Sequence, residues 1–174
     1  MLLHCTKKMA AKLPEVSATP LVELSPLGSW HANLYTIDRR QCVLFCHDAS
    51  RYVLFLQGLV KADFANLDRL HRELFLASLV VLGVKQSYLS SIALALGPVH
   101  YDCVTDRSVL GSMRVACNDL DGMLYRIANV MECDPLALTI RLNDRPATVK
   151  GKWIFPDKTM LELIEQLYGA TTGK

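Results

Sequence analysis

The sequence predicts an α+β fold: a small, mainly antiparallel N-terminal sheet packed by C-terminal helices. Three observations carry that prediction. Over residues 1–60 apolar residues alternate with polar ones or run in short continuous stretches, which is the habit of strands. From Lys61 onward they recur at three- and four-residue spacing, which is the habit of helices. Stops at Gly83 and at Gly97-Pro98 cut that second half into separate helices. At 174 residues the chain fits one domain, 1–174, sheet-rich over 1–60 and helix-rich over 61–174.

Each element has its own warrant. "LLHCT" is a short apolar first strand, expected at a sheet edge, and "KKMAAKL" is a brief helix stopped by Pro14. Residues 14–28 hold three prolines and little periodicity, and read as a surface loop. Residues 30–37 form a strand, Asp38-Arg39-Arg40 a turn, and 41–46 a second strand. "RYVLFLQGL" is a third strand, so continuously apolar that a central position is expected. "KADFANLDRLHRELFLASLVVLGV" and "KQSYLSSIALALG" are helices, and "VHYDCVT" returns to a strand. Asp106 or Ser108 can cap a long helix through "SVLGSMRVACNDLDGMLYRIANVM". Pro135 takes the first helical position of "DPLALTIRLN". "RPATVKGKW" is an exposed connection before a closing helix over "FPDKTMLELIEQLYG".

Composition narrows the function classes. Hydrophobic residues make up 51% and charged ones 21%, a globular balance. The net charge of +2, with an isoelectric point near 8.2, argues against nucleic acid, for which a clustered basic face and a value above ~9 are expected. No apolar run reaches the ~20 residues of a membrane span, and the first residues lack a signal-peptide layout, so a cytoplasmic location is expected. The six cysteines are expected to be free, buried thiols. "CVLFCH" raises a zinc site at Cys42, Cys46 and His47. On a strand, however, four positions span ~13 Å, too far to share one ion at Zn–S bonds of ~2.3 Å. No metal and no cofactor is expected.

The hairpin gathers the polar residues. Alternation puts Trp30, Ala32, Leu34 and Thr36 on one face and His31, Asn33, Tyr35 and Ile37 on the other. If Arg39-Arg40 makes a two-residue turn, Asn33 opposes Cys46 and His31 opposes Asp48, near enough for an imidazole–carboxylate hydrogen bond. That face would look away from the main core. Cys46 there completes a set resembling a thiol enzyme's, although its apolar flanks disfavour a thiolate. Arg39, Arg40 and Arg51 suit an anion clamp, because guanidinium forks match carboxylates and phosphates. Gly111, inside the long helix, costs ~1 kcal/mol against alanine, and close packing is the expected reason. Asn143, Arg145, Lys150, Lys152 and Trp153 could form a basic, aromatic strip. No GxSxG, Walker, Rossmann or HExxH motif is present.

"CTKK", "SWHANLYTIDRR", the D-x-x-R-Y of Asp48, Arg51 and Tyr52, and "RSVLGSM" together resemble an uncharacterised bacterial domain family of unknown function. The resemblance implies a bacterial origin and no activity. It points to His31, Asn33, Arg39, Arg40, Asp48, Arg51 and Tyr52 as a shared polar frame, without Cys46.

Three functions follow as expectations. The first is a binding module that holds an anionic small molecule or a partner protein on the polar hairpin face, with Arg39, Arg40, Arg51 and Tyr52 as ligand-binding residues. The second is a small metal-independent hydrolase of esters, lactones or phosphoesters. There His31 would be the general base, Asp48 its orienting partner, and Asn33 or an arginine the stabiliser of developing negative charge. The third is a nucleic-acid or toxin–antitoxin-type interaction protein, against which the charge counts.

Overall fold

A computed structural model describes residues 1–125, 129–149 and 151–169. Its elements are β1 (Leu2–Cys5), α1 (Lys7–Ala10), β2 (Trp30–Ile37), β3 (Arg40–His47) and β4 (Val53–Leu59), followed by α2 (Lys61–Phe64), α3 (Leu67–Val81) and α4 (Gln86–Leu96). Then come β5 (His100–Asp102), α5 (Arg107–Leu124), a 3-10 turn (Val130–Glu132), α6 (Pro135–Asn143), β6 (Ala147–Val149), β7 (Lys152–Ile154) and α7 (Pro156–Tyr168). Arg126, Ile127 and Ala128 of the expected long helix, and Lys150 of the expected basic strip, lie outside the described residues.

The fold is α+β, with an N-terminal five-stranded sheet in the order β4-β3-β2-β1-β5. β2, β3 and β4 form an antiparallel meander, and β1 runs parallel to both β2 and β5. Two placements differ from the sequence expectation. β1 is interior, not an edge, because α1 and the 14–28 loop cross over to bring β2 alongside it in parallel. β4 is an edge strand, not a central one. It is apolar because both of its faces are covered, which a run of apolar letters cannot distinguish from centrality.

Both faces of the sheet carry a core. On one, Leu3, Trp30, Phe45 and Leu54 pack against Met9 of α1 and the apolar sides of α3, α4 and α7. On the other, Cys42, Leu44, Cys46, Val53 and Phe55 pack against Val109, Met113 and Leu120 of α5 and Leu138 and Leu142 of α6. The hairpin face expected to look outward is therefore roofed by helices. β3 is apolar at odd and even positions alike, so both of its sides need cover.

The flanks of the sheet are closed by side chains and loop. Asn143, fully buried on α6, accepts from the Val53 amide through Oδ1 at 2.7 Å and donates through Nδ2 to the Val53 carbonyl at 2.8 Å. One helical turn earlier, Thr139 Oγ1 accepts from the Phe55 amide at 3.2 Å. Spacing of i and i+4 on the helix thus meets i and i+2 on the strand, and α6 substitutes for a missing sixth strand. At the opposite flank the Ser17 amide donates to the Tyr101 carbonyl of β5 at 2.8 Å.

The caps follow the sequence. Asp106 accepts from the Ser108 and Val109 amides at the start of α5, and Pro135 opens α6 behind Asp134. The expected helix from Lys61 is broken into α2 and α3 around Ala65 and Asn66. The expected connection over residues 145–153 contains instead the small hairpin β6–β7, turned at Gly151, whose φ is 77°. Among the described residues no helix is long and apolar enough to cross a membrane.

Candidate functional site

The β2–β3 turn sets the geometry of everything near it. Asp38 (φ 48°) and Arg39 (φ 60°) are its two central residues, and Ile37 faces Arg40. Two consecutive left-handed residues make the tight turn whose twist matches a hairpin. Asp38 adopts that region more readily than most residues, and its Oδ2 accepts from the Val130 amide at 2.7 Å. The expected turn lay one residue later, at Arg39-Arg40. Correcting it moves every pairing by two positions, so His31 faces Cys46 and Asn33 faces Leu44. A two-residue slip leaves the faces unchanged, and Asp48 becomes a diagonal neighbour of His31 instead of its opposite number. The contact survives: His31 Nδ1 and Asp48 Oδ1 are 2.6 Å apart.

His31 is 2% exposed, and its other nitrogen, Nε2, accepts from the Asp106 amide at 2.8 Å. A backbone amide can only donate, so the neutral ring carries its proton on Nδ1 and gives it to Asp48. Both nitrogens are thereby occupied, and the ring ties β2 to the start of α5. A general base needs a free lone pair directed at substrate, and this arrangement gives His31 none.

Asp48 also serves neighbours that the sequence did not indicate. Ser29 Oγ donates to its Oδ2 at 2.7 Å, and His4 Nε2 lies 3.8 Å from the same oxygen. His4 Nδ1 in turn contacts Asp102 Oδ1 at 2.7 Å, and the fully buried Asp102 accepts from the Leu21 and Val104 amides. Asp102, His4 and His31 stand in one row across β5, β1 and β2. Burial alone would push the Asp48 carboxyl up. Hydrogen bonds from His31 and Ser29, with His4 nearby, outweigh it and hold the group below its ordinary value. His4 and Asp102 are 98 residues apart, and only the parallel β1–β5 pairing, for which no local letter pattern exists, joins them.

Arg51 and Tyr52 turn inward. Arg51 has φ 58° and is 6% exposed, and its guanidinium donates to the Asp48 carbonyl and, at 3.1 Å, to Ser108 Oγ of α5. Tyr52 is buried in the first core beside Phe75. Cys46 is buried in the second, where loss of solvent pushes its thiol up to about 12. A thiolate nucleophile is disfavoured there.

Arg39 and Arg40 point the other way. With Lys12 after α1 and Lys61 at the start of α2 they surround a cleft of about 580 Å³, whose lining includes Gly58, Leu59 and Phe64. All four cations are exposed, and none forms an ion pair among the described residues. The structure thus scatters the expected frame: His31, Asp48 and Arg51 in one hydrogen-bonded knot, Arg39 and Arg40 at the hairpin tip, Tyr52 in the first core, and Asn33 bonded to Thr6. Lys12 and Lys61 were missed because their only link to the hairpin is tertiary. The other expected strip does not form. Asn143 is buried against β4, Arg145 pairs with Asp119 at 2.9 Å, and Trp153 is 73% exposed on β7.

One family model, described as a domain of unknown function (DUF6933), matches residues 2–159. No curated protein matches the chain.

Proposed function

We propose that the chain, which belongs to this family of unknown function, is a binding module for an anionic small molecule seated in the cleft at the β2–β3 tip. The observation that carries the reading is the convergence of Lys12, Arg39, Arg40 and Lys61 on one cleft with no acidic partner among the described residues. Four like charges around one hollow repel one another, and an anion between them relieves that repulsion. Guanidinium forks and ammonium donors are suited to carboxylate and phosphate oxygens. The backbone adds support: Arg39 holds φ 60°, where a glycine would avoid a strain of ~1 kcal/mol or more. Placing a long cation there suggests that its charge is used.

Isothermal titration with inorganic pyrophosphate at low ionic strength tests this. The expected result is binding that weakens with added salt and falls roughly tenfold or more in Arg40→Ala and in Lys61→Ala, as loss of one charge-assisted contact implies. Equal binding by the wild type and both variants would remove the clamp.

A further inference from the structure

Gly111 lies in the interior of α5, an eighteen-residue helix, where glycine is distinctly less favourable than alanine. Close packing does not explain it: a β-carbon built at Gly111 would meet no heavy atom within 4 Å. Above it is a cleft of about 460 Å³, walled on the sheet side by Thr6, Asn33 and Tyr35 and on the helix side by Arg107, Leu110 and Arg114.

The helix wall has a regular order. Arg107, Gly111 and Arg114 fall at i, i+4 and i+7, on one helical face, with the two arginines ~10 Å apart along the axis. Neither guanidinium forms an ion pair among the described residues. The nearest acid in sequence, Asp106, is already engaged by the Ser108 and Val109 amides. On the sheet wall Thr6 Oγ1 donates to Asn33 Oδ1 at 2.7 Å. That bond commits the amide oxygen, and the Asn33 NH₂ also reaches the Tyr35 oxygen, so what it offers the cleft is its second hydrogen. Between the two cations the lining is apolar, made by Leu110 and the bare Gly111 backbone.

We infer that this cleft is a second binding site, for a slender dianion with an apolar spine and an acid group at each end, of the aliphatic α,ω-dicarboxylate kind. Arg107 and Arg114 each take one carboxylate by a two-pronged hydrogen bond. The spine lies along Leu110 and over Gly111, whose missing side chain keeps the floor clear. Asn33 donates to the carboxylate nearer the sheet. The site lies on the second-core face and shares no residue with the hairpin-tip cleft, so it stands independently of the function proposed above.

Thermal-shift and calorimetric titration of the full chain with suberate, against octanoate, decide it. Suberate is expected to bind at least tenfold more tightly than octanoate and to lose tenfold or more in Arg107→Ala and in Arg114→Ala. Gly111→Ala is expected to raise the melting temperature by about 2–4 °C through helix propensity while weakening suberate binding, and Gly111→Leu to abolish binding in a chain that still melts cooperatively. That opposition of stability and affinity is what a merely structural glycine would not produce. Absence of suberate binding, or equal binding by octanoate, overturns the proposal. So do equal affinities in all four variants, or a lowered melting temperature in Gly111→Ala. A loss in Arg40→Ala matching that in Arg107→Ala assigns the dicarboxylate to the hairpin tip and overturns it as well.

Discussion

Replacing His71 with leucine is expected to raise stability at neutral pH and to flatten its decline on the acid side. His71 sits on α3, fully buried, with no hydrogen-bond partner for either ring nitrogen among the described residues. Its neighbours are the edges and faces of Trp30 and Phe45, with ring centroids 4.7 and 4.8 Å away. Burial, reinforced by the like charges of His47 and Arg72, pushes its pKa from 6.5 down to about 3. The sign follows directly. Below about pH 6.5 the unfolded chain takes up a proton here and the folded chain does not, so stability is full above that pH and falls as pH drops toward 3. The slope is ~1.4 kcal/mol per pH unit, or roughly 2 kcal/mol between pH 7 and pH 5. His47, also lowered by burial, contributes in the same direction and leaves a residual slope in the variant. The Asp48 carboxyl acts in a lower window, near and below pH 4. Leucine removes two unpaired buried nitrogens, a gain on the order of 1–3 kcal/mol. Urea titrations at pH 5, 6 and 7 measure both effects, and a variant with the wild-type slope would refute the assignment to His71.

The second large effect is expected at Asn143. Asn143→Ala strips the outward amide and carbonyl of Val53 of their partners together, inside the protein. Each stranded group costs ~1–3 kcal/mol, so a loss of about 3 kcal/mol or more is expected. Thr139→Val, which strands only the Phe55 amide, should cost less, near 1–2 kcal/mol. Because both side chains hold the same strand to the same helix, the double variant should fall short of additivity. Equilibrium denaturation reads all three values, and an Asn143→Ala chain as stable as the wild type would show that water replaces the amide freely.

Much of this architecture was legible in local letters. The β2 strand, the stop at Gly97, the Asp106 cap and the proline opening of α6 each depend on a few adjacent residues, and each is found where expected. The His31–Asp48 contact survived an incorrect turn because a two-residue slip preserves the face of every side chain. What the letters did not carry is long-range. The place of β1 between two parallel neighbours depends on the crossover through α1 and the 14–28 loop, and the row of Asp102, His4 and His31 depends on that place. The edge position of β4 was hidden because two-sided burial looks the same at an edge as at a centre. The roof over the hairpin face was foreshadowed by the unbroken apolar run of β3, which pointed to helices on both sides.

The closure of both flanks has a bearing on how copies of this chain can associate. With Asn143 and Thr139 against β4 and Ser17 against β5, neither border of the five-stranded sheet offers an open ladder to a neighbour's backbone, and self-association by continuation of that sheet is disfavoured in the native state. The protection on the β4 side rests on the nine residues of α6. A fluctuation that lifts this helix uncovers the apolar ribbon "VLFL", so clumping on storage or warming is expected to track the peeling of α6 and precede global melting.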